Sequence, residues 1–171
     1  MSQAVLISIR PKWCEKIISG EKTIEVRKTR PKMDMPFKCY IYRSVQGDVI
    51  GEFICDDIFE RIVRVGASCE PPKYCICDWN MDCTPLDTLL ADACLTKDEM
   101  EKYLDGGVGY GWHISNLKIY DTPRKLSEFK GLCKVESDCC ACPYYNYSKM
   151  DCDGRTIKRP PQSWCYVEEL P

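Results

Sequence analysis

The sequence predicts an α+β protein, built as a small β-barrel or strongly curved sheet with peripheral helices. Short β-branched or alternating segments recur along the chain, as expected for several short strands. Helical periodicity is confined to a few segments, and strands and helices do not alternate regularly as in a parallel βαβ sheet. The length of 171 residues favours one domain with a substantial core.

The first two elements are predicted from the spacing of apolar residues and from the proline and glycine that bound the helix. Residues 5–9 form a short apolar, β-branched run that indicates a buried strand. Pro11 suits the first turn of a helix, in which Trp13 and Ile17 recur at helical spacing. Gly20 is well placed to end that helix.

The next segment, residues 22–28, alternates between polar and apolar side chains. Successive strand residues point to opposite faces, so Glu25 and Arg27 share one face while Ile24 and Val26 share the other. The pattern predicts a strand with one core face and one polar face.

Similar arguments place the remaining elements. Thr96 and Glu99 have the spacing of a capping box, which marks a helix start. The predicted strands are 37–43, 48–56, 58–65, 111–119 and 163–170, the predicted helices are 85–93 and 96–104, and the predicted irregular segments are 31–36, 66–85 and 131–161.

Charge is distributed unevenly along the chain. The formal net charge is −2, which excludes a uniformly basic nucleic-acid clamp. Residues 1–50 carry ten Lys/Arg against five Asp/Glu, whereas residues 51–110 carry five against thirteen. The N-terminal excess favours a local phosphate-attracting field, although an ordinary solvated surface has the same signature.

Hydropathy and the N-terminus predict a cytoplasmic protein. No apolar run approaches the roughly 20 residues of a membrane-spanning helix, and Arg10 interrupts the only apolar stretch near the start. We therefore expect the 14 cysteines to be reduced, and such a density in a reducing compartment indicates metal ligation.

One cysteine cluster has the spacing of a zinc knuckle. Four thiolates can hold a tetrahedral structural zinc that leaves no position open for catalysis. The alternative is a loop of reduced thiols. The predicted zinc ligands are Cys133, Cys139, Cys142 and Cys152, with Cys140 and Cys165 as possible substitutes.

The other cysteines give weaker signals. A second group has a less usual spacing and is a lesser metal candidate; it comprises Cys69, Cys75, Cys77 and Cys83. The thiols in predicted regular elements are expected to be packed or partly exposed; they are Cys14, Cys39, Cys55 and Cys94.

A polar cluster follows the first predicted helix. Lys22 and Arg27 can bind phosphate, and Glu25 can accept a hydrogen bond from a base amine or take a proton. Tryptophans can stack on bases, and the single histidine can act as an acid or base. The alternative is a surface ion-pair network with both tryptophans and the histidine structural. The candidate ligand-binding residues are Arg10, Lys12, Trp13, Lys22, Glu25, Arg27, Trp112 and His113.

These segments resemble the ASCH domain, a branch of the PUA-like β-barrel superfamily. The resemblance rests on S-I-R-P at 8–11, I-I-S-G-E-K-T-I-E-V-R at 17–27, G-Y-G-W-H-I at 109–114 and P-R-K-L-S-E-F at 123–129. The closing R-P-P-Q-S-W-C-Y-V at 159–167 resembles phage- and prophage-type members. The resemblance implies an ASCH domain over 1–130, with 66–85 as a cysteine-containing insertion, and a cysteine-rich segment plus closing strand over 131–171.

The resemblance implies binding of RNA or a modified nucleotide, with a cleft around the Lys22 segment. The alternative is an enzyme that uses the same cleft, either a ribonuclease or a nucleoside amidohydrolase. Its catalytic residues would be Lys22 and Glu25. The amidohydrolases of this family have a threonine at the position that Glu25 occupies in this chain. They also have a glutamate further along the sequence, and that position aligns near Ala93 of this chain. A third possibility is a phage-encoded module that binds a host protein.

Overall fold

The computed structural model describes residues 2–65, 73–77, 83–84, 86–132, 145–146, 148, 151–152 and 155–170. No helix in these ranges is long and apolar enough to cross a membrane. The helices are α1 (Pro11–Ile18), α2 (Asp87–Asp92) and α3 (Lys97–Leu104). The strands are β1 (Gln3–Ile9), β2 (Ile24–Arg27), β3 (Phe37–Arg43), β4 (Asp48–Cys55), β5 (Ile58–Val65), β6 (Lys73–Cys77), β7 (Cys83–Thr84), β8 (Gly109–His113), β9 (Ser115–Lys125), β10 (Tyr145–Asn146), β11 (Asp151–Cys152) and β12 (Trp164–Glu168).

The chain forms two compact units, and the first comprises residues 1–11, 38–52 and 118–171. Its five-stranded sheet has the order β12-β1-β3-β4-β9. Strand β1 lies between β12 and β3; it runs parallel to β3 and antiparallel to β12, so the C-terminal strand extends the sheet begun by the first one. The buried core of this unit comprises Ala4, Leu6, Tyr40, Tyr42, Val49, Phe129 and Val167.

The second unit comprises residues 12–37 and 53–117. Its five-stranded sheet has the order β2-β8-β5-β6-β7, and all the registered pairs are antiparallel. Helices α2 and α3 contribute to its core, which comprises Ile24, Val26, Ile62, Leu86, Leu89, Ala93, Met100 and Leu104. All of the candidate ligand-binding residues of the polar cluster except Arg10 belong to this unit.

The structure agrees with the α+β class and with most predicted elements. The capping box is present: Thr96 Oγ1 accepts from the backbone of Glu99, and Glu99 Oε2 accepts from the backbone of Thr96 at 3.0 Å. Gly20 follows α1 with φ of +79°, a conformation that glycine adopts without steric cost. The predicted C-terminal strand is observed as β12.

Several predictions need correction. The described strands divide between two five-stranded sheets and a two-stranded ribbon, and none of these described sheets closes into a barrel. The segment 66–85, predicted to be irregular, contains β6 and β7, which extend the second sheet from β5. The proline and asparagine signals that suggested a loop flank β6 and are not within it. The single strand predicted over 111–119 is two strands that meet at Ile114.

Candidate functional site

The Lys22 segment is held between α1 and α2 by backbone hydrogen bonds. The N–H of Lys22 donates to the carbonyl of Lys16 at 3.0 Å, and the N–H of Thr23 donates to that of Asp92 at 2.8 Å. Gly20, which lies between Lys16 and Lys22 in the chain, has a positive φ that turns the backbone back from the end of α1. The turn therefore fixes where the Lys22 side chain starts and where β2 begins.

Lys22, Glu25 and Arg27 form a buried ion triad. The ammonium of Lys22 lies 3.2 Å from Glu25 Oε2, and the guanidinium of Arg27 lies 3.0 Å from Glu25 Oε1. Only 3%, 7% and 8% of these three residues are exposed, so the predicted polar face of β2 is covered. Lys22 also donates to the backbone carbonyl of Ala93 at 2.7 Å. Two cations and one carboxylate leave the triad with a formal charge of +1.

The register of β2 and β8 explains what covers the triad. Glu25 lies opposite Trp112, and directly opposed residues of an antiparallel pair project to the same face. Trp112 is fully buried and makes an edge-to-face contact with Phe37, with ring centroids 6.0 Å apart. Trp112 is therefore buried on the face of the sheet that carries Glu25.

Trp13, in contrast, lines an open groove of about 530 Å³. Its ring has the ammonium of Lys12 at 4.1 Å from the centroid and that of buried Lys22 at 5.1 Å. Trp13 thus connects the groove to the ion triad. Among the predicted ligand-binding residues, Lys12 and Trp13 line this groove.

Ion pairs cross the groove and run along its edge. Lys12 reaches Glu99 of α3 at 3.3 Å, and Lys16 reaches Glu21 at 2.5 Å. Ser19 donates to the other oxygen of Glu21 at 2.9 Å. The hydrogen bond from Lys16 holds the pKa of Glu21 below its ordinary value, with Ser19 contributing in the same direction. The groove therefore presents both donors and ionised acceptors beside an aromatic ring.

His113 lies at the end of β8 and pairs with Asp56. Its Nδ1 is 2.7 Å from the Asp56 carboxylate, and both side chains are more than a third exposed. This hydrogen bond is the main reason that the pKa of Asp56 lies below its ordinary value. The neighbouring thiol of Cys55 is buried, which raises its pKa to about 12 and makes it a poor nucleophile.

Sequence reasoning missed several residues of this region. The Ala93 carbonyl and Glu99 join this region only through folding. Glu21 is adjacent to Lys22 in the sequence, but its pairing with Lys16 and Ser19 was not predicted. The Thr96–Glu99 capping box was recognisable, but nothing in it indicated that Glu99 also pairs with Lys12. Arg10, which the sequence grouped with the site, is exposed and belongs to the first unit.

Most of the predicted zinc site lies outside the described residues, namely Cys133, Cys139, Cys140 and Cys142. Of the remainder, Cys152 is half-buried in β11, and Cys165 packs beside the core of the first unit. In the second cluster, Cys69 lies outside the described residues, while the backbones of Cys77 and Cys83 pair across β6 and β7. The described ranges contain no group of three or more His, Cys, Asp or Glu positioned for a metal ion.

The remaining cysteines agree with the expectation of packed or partly exposed thiols. Cys14, Cys39 and Cys55 are buried, and Cys94 is half-buried at the groove.

Comparison with solved structures identifies the fold. The crystal structure of ASCH from Zymomonas mobilis has a TM-score of 0.59 at 18% sequence identity, covering 97% of this chain and 88% of that chain. The fold is that of an ASCH domain. A serine-to-alanine variant of the Zymomonas protein gives 0.58 at 18% identity, over 97% of this chain and 89% of that one. A tyrosine-to-phenylalanine variant gives 0.51 at 19% identity, over 72% and 76%.

No protein-family model and no curated protein matches the sequence. The ASCH fold supports the fold-level part of the resemblance seen in the sequence. Membership of the phage- and prophage-type branch stays a prediction, as does the domain boundary near residue 130.

Proposed function

We propose that this chain binds RNA or a nucleotide at the groove beside the Lys22 segment. The observation that carries the proposal is the arrangement of Trp13, whose ring lines the open groove while the positively charged triad lies beneath it. An aromatic face accepts any base by stacking, and nearby lysines attract phosphate. The ASCH fold is compatible with such a ligand.

The ion pairs in the groove are compatible with ligand binding. Exposed pairs such as Lys12–Glu99 contribute only about 0–1 kcal/mol, so a lysine can exchange its carboxylate for a phosphate at small cost. Glu99 is then available to accept a hydrogen bond from a base amine, as carboxylates do with cytosine. The mixed charge of the groove thus favours recognition of a base together with its phosphate.

The enzyme alternatives receive less support from the geometry. Both oxygens of Glu25 are engaged by cations, which leaves this carboxylate poorly placed to take a proton from a substrate. Where the amidohydrolases carry a glutamate, Ala93 offers Lys22 only its backbone carbonyl. We therefore assign the triad a positioning and electrostatic role.

The proposal is tested by the fluorescence anisotropy of a labelled ten-nucleotide single-stranded RNA. Trp13→Ala is expected to weaken binding by about 10-fold or more, because base–aromatic stacking contributes roughly 1–3 kcal/mol per base. Lys158→Ala, which removes an exposed lysine from the first unit, is the control and should bind as the wild type does. Unchanged affinity in Trp13→Ala, or no binding by the wild type, would contradict the proposal.

We also propose that a structural zinc is bound by Cys133, Cys139, Cys142 and Cys152, on the basis of their spacing alone. Native mass spectrometry of the purified protein should then show one zinc per chain. The double variant Cys139→Ser/Cys142→Ser should lose it, whereas Cys14→Ser should keep it. A metal-free wild type would remove this assignment and leave the groove proposal unaffected.

A further inference from the structure

Tyr103 on α3 has surroundings similar to those of Trp13. Its side chain is 40% exposed, whereas Met100 and Leu104 of the same helix are buried at 0% and 2%. The ammonium of Lys28 lies 5.4 Å from the ring centroid, and the backbone N–H of Lys28 donates to the phenol oxygen. A tyrosine held at its hydroxyl end, with its ring partly open and a lysine above it, is a preorganised aromatic surface.

The surface around Tyr103 is continuous with the groove. Glu99, which lines the groove and pairs with Lys12, precedes Tyr103 by four residues on α3. Residues four apart share a helix face, and one turn advances by about 5–6 Å. The Trp13 groove and the Tyr103 ring are therefore neighbours along one face of α3.

The ion triad connects the same two aromatic residues from within the unit. Lys22, at one end, lies 5.1 Å from the Trp13 ring centroid. Burial raises the pKa of the Tyr103 phenol, and the positive charge of Arg27, at the other end of the triad, acts against that increase. Each of the two rings also has a surface lysine, Lys12 over Trp13 and Lys28 over Tyr103. The unit thus carries two aromatic–lysine pairs at the two ends of one positively charged cluster.

The segment that carries Lys28 favours a polyanion, whereas α3 itself has two lysines against three acidic residues. Residues 22–32 contain five Lys/Arg against one Glu, a balance of +4 in a chain whose net charge is −2. Lys28, Arg30 and Lys32 are exposed on this segment. A local excess of this size raises the concentration of phosphate near the surface and speeds association.

We propose that Tyr103 and Lys28 form a second nucleotide subsite, so that the ligand is a single-stranded RNA segment of at least two nucleotides. One base stacks on Trp13, the next stacks on Tyr103, and Lys12 and Lys28 contact the phosphates. Duplex RNA does not fit this arrangement, because its bases are stacked on one another and their faces are unavailable. The inference rests on the proposed function and specifies its ligand.

NMR titrations of the full chain with uridine monophosphate and with a tetrauridylate test this inference. The wild type should bind the tetranucleotide at least about 10-fold more tightly than the mononucleotide. Tyr103→Ala should remove most of that advantage, while uridine monophosphate should still shift the Trp13 indole signal as it does in the wild type. Tyr103→Phe, which keeps the ring, should retain most of the advantage. Tyr120→Ala is the matched control, because Tyr120 has Arg124 at 5.2 Å from its ring but belongs to the first unit.

Lys28→Ala gives an independent measurement that leaves the ring in place. For tetranucleotide binding, the logarithm of the binding constant falls with the logarithm of the salt concentration, and Lys28→Ala should make this slope shallower by about 0.7. That is the value for one phosphate contact on a single strand. Equal affinity of the wild type for both ligands, or wild-type tetranucleotide binding by Tyr103→Ala, overturns the second subsite while the groove proposal stands. Failure of the wild type to bind either ligand overturns both.

Discussion

Replacing Glu25 by glutamine is expected to lower the free energy of unfolding by about 3–5 kcal/mol. Glu25 is the only carboxylate in the buried triad, and each of its oxygens is engaged by a different cation. Glutamine has nearly the same shape, but it removes the buried negative charge that lies 3.2 Å from Lys22 and 3.0 Å from Arg27. Its amide group would also direct N–H donors toward one of these cations. A loss of this size is a large fraction of the stability of an ordinary domain.

Urea denaturation followed by circular dichroism measures this effect as a shift of the midpoint. Glu101→Gln is the matched control, because Glu101 forms an exposed pair with Lys97 at 3.7 Å. Removing an exposed pair of this kind should change the stability by less than about 0.5 kcal/mol. If Glu25→Gln were as stable as Glu101→Gln, the triad would not be a buried electrostatic cluster.

Replacing Trp112 by alanine is expected to cost about 3–5 kcal/mol, the usual cost of truncating a large buried aromatic side chain. The residue is fully buried, and its ring packs edge-to-face against Phe37. It also lies opposite Glu25 across the β2–β8 pair. The substitution therefore opens a cavity on the face of the sheet that carries the triad.

Trp13→Ala is the informative comparison for Trp112→Ala. Trp13 is only half-buried and lines the groove, so its removal should cost much less stability and much more RNA affinity. Trp112→Phe, which refills most of the cavity, should bind RNA as the wild type does. The opposite pattern, in which Trp112→Phe abolishes binding and Trp13→Ala does not, would exchange the roles of the two tryptophans.

Local signals in the sequence were sufficient for many elements of the fold. The start of α1 at Pro11, its end before Gly20, and the capping box at Thr96 each depend on residues within one or two helical turns. The observed helices begin and end within a few residues of the predicted positions. Such features are encoded by neighbours in the chain, which is why they can be predicted without the tertiary structure.

The burial of the triad could not be predicted from the same kind of signal. Alternation in residues 22–28 is typical of a strand with one exposed face, and the polar residues were expected to lie there. In the structure all four residues of β2 are buried, and Glu25 lies opposite the buried Trp112 of β8, a residue far along the chain. The charge of Glu25 is compensated by Lys22 and Arg27 of the same segment, and this pairing allows the polar side chains to be buried.

The groove was even harder to predict from the sequence, because it is formed by tertiary contacts. Its aromatic and cationic residues, Trp13 and Lys12, were predicted, but α3 closes its other side through Glu99. Tyr103 gave no signal, since a tyrosine in an amphipathic helix is equally compatible with the core. The topology that brings α3 beside α1 had to be known before either residue could be assigned a role.

The most direct test of groove binding is a ¹H–¹⁵N spectrum of the tryptophan indoles during titration with single-stranded RNA. The chain has four tryptophans, and single Trp→Phe variants assign their indole signals. The groove account predicts that the Trp13 signal shifts progressively with RNA concentration, whereas that of Trp164, in the first unit, does not move. A stationary Trp13 signal while RNA is bound, or a response centred on Trp164, would contradict it.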